Sequence, residues 1–90
     1  MTGQFAYRLM LIYQGEGLDV SDEALLVRII NDAIGAEIKT EHDIYEYGKL
    51  ALVTPPLLEL KKPAWALNIL YADVDPETKI NALKEYLESA

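Results

Sequence analysis

The sequence predicts an α+β fold: a β-α-β-β-α two-layer sandwich, with both helices on one face of a mainly antiparallel sheet of about three to five strands. Three observations carry this expectation. Two runs rich in aromatic and branched residues, 4–14 and 65–72, alternate with period two. Two segments, Ser21-Asp22-Glu23 and Asp75-Pro76-Glu77, carry helix-start signals. The order strand, acidic turn, capped helix also occurs twice, as Leu11–Ile34 and Ile69–Leu87.

Strand one is read from Phe5, Tyr7, Leu9, Leu11 and Tyr13, which share one face of an extended chain. Gly15-Glu16-Gly17 breaks it. Helix one runs from the Ser21–Glu23 cap to Ile34, with the adjacent apolar pairs Leu25/Leu26, Ile29/Ile30 and Ala33/Ile34 making a broad stripe, and Gly35 as its stop. Residues 36–40 then read as a short strand, Glu41-His42-Asp43 as a turn and 44–53 as a longer strand, or all of 36–53 as one bent strand. Pro55-Pro56 ends that element, and 57–62 fits an edge strand or a helical turn. A further strand places Trp65, Leu67, Ile69 and Tyr71 on one face and Ala66, Asn68, Leu70 and Ala72 on the other. Helix two begins at Asp75-Pro76 and buries Ile80, Leu83 and Leu87, leaving Lys84 and Glu88 toward solvent. A right-handed connection through helix one would set the first and last strands side by side, which resembles ferredoxin-like sheets in part and implies nothing about function.

Ninety residues, 51% hydrophobic and 26% charged, with a formal charge of −7, fit one acidic domain spanning 1–90. The absence of cysteine excludes a disulfide framework and thiolate chemistry, and favours a reducing, cytoplasmic setting. No basic segment precedes an apolar one, and no uncharged run approaches membrane thickness, so neither a signal peptide nor a membrane span is expected. Direct nucleic acid binding is disfavoured as well, because a chain with a pI near 4.5 and no basic stripe cannot release phosphate counterions.

The candidate sites are few. Glu16, Asp19, Asp22 and Glu23 gather in one turn and Asp73, Asp75 and Glu77 in another, so neighbouring strands would form an acidic pole. A cation loop fails there, since Thr78 stands where the glycine and Lys84 where the bidentate glutamate belong. These acids read instead as helix caps that complement the helix dipoles. His42, the only histidine, lies between Glu41 and Asp43 with no nucleophile in context and reads as a solvated turn residue. No catalytic residue, metal ligand or cofactor site is therefore expected.

The most informative feature is the sheet face that the helices would leave open, carrying Arg8, Met10, Ile12, Asn68 and Leu70 together with Tyr45 and Tyr47. That face is too apolar for open water, and contiguous patches of this kind mark interfaces. The leading expectation is thus a non-enzymatic protein-protein interaction module that self-associates, as a homodimer or small homo-oligomer. One alternative is an acidic, phage-type inhibitor or nucleic-acid-mimicking decoy that covers a basic surface on a nucleic-acid-handling protein. Another is a small-molecule-binding regulatory domain.

Overall fold

Leucine, methionine, alanine, glutamine and arginine lose little side-chain freedom in a helix, and in 4–14 they outweigh the aromatic residues. The computed structural model, which describes residues 2–89, folds that run as a helix. Among the described residues six helices follow one another: α1 Thr2–Gly15, α2 Glu23–Gly35, α3 Glu41–Leu52, α4 Pro55–Leu58, α5 Ala64–Leu70 and α6 Pro76–Ser89. Among the described residues there is no strand, and this overturns the α+β sandwich, its sheet and the partial ferredoxin-like likeness.

The two period-two runs mislead for one reason. When nearly every position is apolar, alternation and helical spacing are satisfied together. In α1 the buried residues are Ala6, Leu9 and Tyr13, three and four apart, while Tyr7 and Leu11 of the supposed inward face are exposed. In α5 it is Ala66 and Leu70, one turn apart, that are buried, and Leu67 and Tyr71 that are exposed. The expected strand at 44–53 is α3, which buries Ile44, Tyr47, Gly48 and Ala51. Its N-cap is Thr40, whose hydroxyl accepts from the Asp43 amide at 3.1 Å. The prolines do end an element, since α3 stops at Leu52, but Pro55 and Pro56 open the short helix α4 rather than lead into an edge strand.

Both capped helices form where the caps indicate. Asp22, rather than Ser21, caps α2 by accepting from the Ala24 amide at 3.0 Å. Asp75 precedes α6 and its carbonyl accepts from the Lys79 amide at 3.1 Å. Leu87 of the expected buried stripe is half-buried, and Lys84 turns to Glu46 of α3 at 3.5 Å.

The short segment 36–40, expected as a strand, is a helix terminus. Amide donation from Ile38 to the Ala33 carbonyl at 2.8 Å, and from Glu37 to Ile34 at 3.0 Å, closes α2 in a Schellman motif. The left-handed position of that motif falls on Glu37 (φ 66°), two residues beyond the Gly35 stop read from the sequence. α1 ends the same way, with Leu18 donating to Tyr13 at 3.0 Å and Gly17 to Gln14 at 3.1 Å, and here glycine holds the left-handed position (φ 89°). The buried ammonium of Lys79 donates to the Ala36 carbonyl at 2.6 Å, which ties α6 to the negative end of α2.

α1 packs on α2, α2 on α3, and α3 receives both α4 and α6, while α5 leans on α6. One core cluster runs through all of them, from Ala6 and Leu9 to Ile80 and Leu83. α1 meets α3 most closely at Tyr13. The fully buried Tyr13 lays its hydroxyl over Gly48 and donates to the Tyr45 carbonyl at 2.8 Å, and the Tyr13 and Tyr45 rings stack at 5.7 Å. A methyl group on Gly48 would overlap that hydroxyl and lie 3.1 Å from the ring carbon bearing it.

Gly48→Ala is therefore expected to lower the melting temperature although alanine is the better helix former by about 1 kcal/mol, because overpacking against a pinned ring costs about 1–3 kcal/mol. Removing the hydroxyl as well, in Tyr13→Phe/Gly48→Ala, should destabilise by less than the sum of the two single changes. Additive melting shifts would contradict the contact. Glu37→Gly should raise stability by about 1 kcal/mol in a denaturant titration, by relieving the left-handed residue.

Candidate functional site

A helix that is apolar all round is ordinarily buried all round, and α1 departs from this. Its inner face, with Ala6, Leu9 and Tyr13, is covered by α2 and α3, while Phe5 and Met10 are half-buried along the edges. Its outer face presents Tyr7, Leu11 and Ile12, which are 51%, 47% and 47% exposed. Beside Tyr7 lies an open groove lined by Gly3, Gln4, Arg8 and Glu23. The run Thr2–Gly15 holds no acid, and its one charge, Arg8, pairs with Glu41 of α3 at 3.2 Å.

The residues expected on an open sheet face are distributed over three helices. Arg8, Met10 and Ile12 lie on α1, Tyr45 and Tyr47 on α3, and Asn68 and Leu70 on α5. Ile12, Arg8 and Asn68 are exposed, Met10 and Tyr45 are half-buried, and Leu70 and Tyr47 belong to the core. With no sheet there is no such face to gather them, and what remains of it is the α1 portion. The exposed Tyr7 and Leu11 complete that portion. Sequence reading had put them inside, and the helical spacing 7, 11 against 6, 9, 13 was the signal that could have found them.

Most of the acids expected at one pole stand at helix starts or reach a neighbouring helix. Asp22 caps α2, Glu23 stands in its first turn, and Asp19 is exposed in the turn before it. Asp75 accepts from the Thr78 hydroxyl at the start of α6, and Asp73 is exposed just before it. Among the described residues, no three of His, Asp and Glu converge closely enough to hold a metal ion. Glu16 is the most connected of the set. It accepts from the Tyr45 hydroxyl at 2.5 Å and pairs with Lys49 at 3.3 Å, fastening the α1–α2 turn to α3. His42 stands in the first turn of α3, at a polar groove of about 420 Å³ shared with α6 and lined also by Asp43, Glu46, Glu77, Asn81 and Lys84. Neither serine nor threonine lines that groove, and its lysine, Lys84, pairs with Glu46 at 3.5 Å.

The chain matches no protein-family model, no curated protein and no solved structure. No helix among the described residues is long and apolar enough to cross a membrane.

The Tyr45–Glu16–Lys49 group sets a pH dependence. The Tyr45 hydroxyl, and then Lys49, hold the Glu16 carboxyl below its ordinary value, and Lys39 does the same for Glu37. A depressed carboxyl stabilises the fold above its unfolded pKa and loses that contribution as the pH falls through the folded one. At the other end, burial pushes the Tyr13 and Tyr47 phenols up, while Glu16 raises Tyr45 and Tyr45 raises Lys49. Raised groups lose their contribution as the pH climbs past the unfolded value, about 10. Thermal melts should therefore be flat between about pH 6 and 9 and fall on both sides, with a shallower acid limb in Glu16→Gln. In an ultraviolet phenolate titration, Tyr13 and Tyr47 should ionise only as the fold is lost.

Proposed function

We propose that the chain is a small acidic, non-enzymatic protein-protein interaction module of the cytoplasm that self-associates, two copies meeting across the outer face of α1. The observation that carries this reading is the apolar outer face of a helix whose inner face is already in the core. Charge supports it too. Two molecules of formal charge −7 repel over most of their surfaces, and α1 is a long segment without an acid, its single cation neutralised within its own protomer.

An antiparallel, two-fold pairing suits a stripe of this kind, since it sets Tyr7 of one copy near Ile12 of the other and the reverse. Three large side chains make a small seam, below the roughly 800 Å² per partner of a standard interface. The expected dimer is accordingly weak and concentration-dependent. The absence of cysteine supports the cytoplasmic setting.

Light scattering across a chromatographic peak, at low and at high salt, tests the reading. The chain should run as a dimer at concentrations on the order of 100 μM, with high salt strengthening the association by screening like charges. Leu11→Glu/Ile12→Glu should run as a monomer with an unchanged circular dichroism spectrum, because both side chains point away from the core. A monomeric native chain at both salts, or an unchanged assembly in the double variant, would overturn it.

A further inference from the structure

The chain has only eight cations, and just three of them, Arg8, Arg28 and Lys39, lie in its first half. Two of these three meet at one place. Between α1, the end of α2 and the start of α3 lies a cleft of about 250 Å³, lined by Gln4, Phe5, Arg8, Ile30, Ile34, Lys39, Glu41 and Ile44. Ile30 and Ile44 form a buried floor, half-buried Phe5 is one wall and the 42% exposed Ile34 the other. Arg8 and Lys39 stand at the rim, and the Arg8 guanidinium sits over the Phe5 ring, 5.4 Å from its centroid.

We propose that this cleft binds a small amphipathic monocarboxylate, its apolar body against Phe5, Ile30, Ile34 and Ile44 and its carboxylate between Arg8 and Lys39. The chemistry of the lining selects that class. Ligand pockets combine apolar surface with a few placed polar groups that fix orientation, and here Phe5, Ile30, Ile34 and Ile44 supply the apolar lining while the two cations, Arg8 and Lys39, are exposed beside it. The size restricts it further, because about 250 Å³ lies just below the range of drug-sized pockets and suits a ring or a short chain.

Charge limits the ligand to one negative group. Arg8 is paired with Glu41 at 3.2 Å, and Lys39 with Glu37 at 2.7 Å. Both pairs are exposed, and exposed pairs are held by about 1 kcal/mol or less. A carboxylate anchored by its apolar body can therefore take the place of Glu37 and Glu41 on the two cations. A dianion such as phosphate would add a second charge beside the displaced acids, and it has no apolar body to fill the floor. The first turn of α3, which contributes Glu41 and Ile44 to the lining, adds the partial positive charge of a helix start on the same side.

The site lies within one protomer and does not use Tyr7, Leu11 or Ile12, so it stands or falls separately from self-association. The test is a titration of the isotope-labelled full chain with benzoate and with hexanoate, followed by amide and methyl resonances, beside benzamide and hexanol as uncharged counterparts. Saturable shifts at Ile30, Ile34, Lys39 and Ile44, with a Kd on the order of 1 mM or tighter, are expected for the carboxylates. The uncharged counterparts should bind at least about fivefold more weakly, and Lys39→Gln should erase that difference in part. Ile34→Glu, a change at an exposed wall, should abolish carboxylate binding while leaving the melting temperature close to that of the native chain. Equal affinity for acid and amide, indifference to Lys39→Gln or Ile34→Glu, or no saturable shift at these residues would overturn the proposal.

Discussion

The hydroxyl of Tyr13 over the bare backbone of Gly48 is the contact on which the arrangement of the helices depends. Two helices can approach this closely only where one lacks a side chain, and α3 offers Gly48 in its interior, in spite of the roughly 1 kcal/mol that glycine costs a helix. The phenol uses the space twice. Its ring stacks on Tyr45, and its hydroxyl gives the Tyr45 carbonyl a second donor. Because Tyr13 is fixed, so is the rotation of α1 about its own axis, with Ala6 and Leu9 inward and Tyr7, Leu11 and Ile12 outward. The surface on which the proposed function rests is thus decided by a contact on the opposite side of the same helix.

α3 is the element around which the rest is organised, and polar ties to it come from three directions. Glu16 reaches Tyr45 and Lys49 from the α1–α2 turn, Arg8 reaches Glu41 from α1, and Lys84 reaches Glu46 from α6. Each is an exposed or half-exposed pair worth little alone. Their effect is to fix register rather than to supply stability, which comes from the continuous apolar cluster beneath. The loop after α4 is held by the same means. Lys62 pairs with Asp32 at 2.8 Å, and Arg28 donates to the Leu58 carbonyl.

What could be read from the sequence was what is written in local chemistry. Ser21-Asp22-Glu23 and Asp75-Pro76-Glu77 announce two helices because capping acts within one turn of itself, and Gly17 marks the end of the first element because a left-handed residue was needed there. Thr40-Glu41-His42-Asp43 carries a similar signal for α3, a threonine three residues before an acid, but a compact polar break between two apolar-leaning runs also fits a turn between strands. α1 and α5 were lost for a different reason. In Phe5–Tyr13 and Trp65–Tyr71 nearly every position is apolar, so the pattern contains both periods and only tertiary packing chooses between them. Length separates the two for α1: the eleven residues 4–14 are about twice a typical strand and an ordinary length for a helix. Gly48 was silent for the same cause, since its meaning lies in Tyr13, thirty-five residues away.

The acidic character of the chain takes on a definite role once the helices are placed. A decoy for a basic surface would need its carboxylates along one extended face. Here Glu16, Asp32, Glu37, Glu41 and Glu46 are each paired with a cation of their own chain, and Asp22, Glu23, Asp75 and Glu77 stand at helix starts. That distribution is short-ranged and serves the fold. Its long-range consequence is the net charge of −7 carried by the molecule as a whole, and this bears on stoichiometry. An apolar stripe on an uncharged protein would recruit further copies by any apolar residue within reach, such as Val53 or Leu60. On a molecule of charge −7, each further approach meets repulsion that a weak patch cannot offset, and a two-fold pairing that consumes both stripes leaves nothing for a third copy to join.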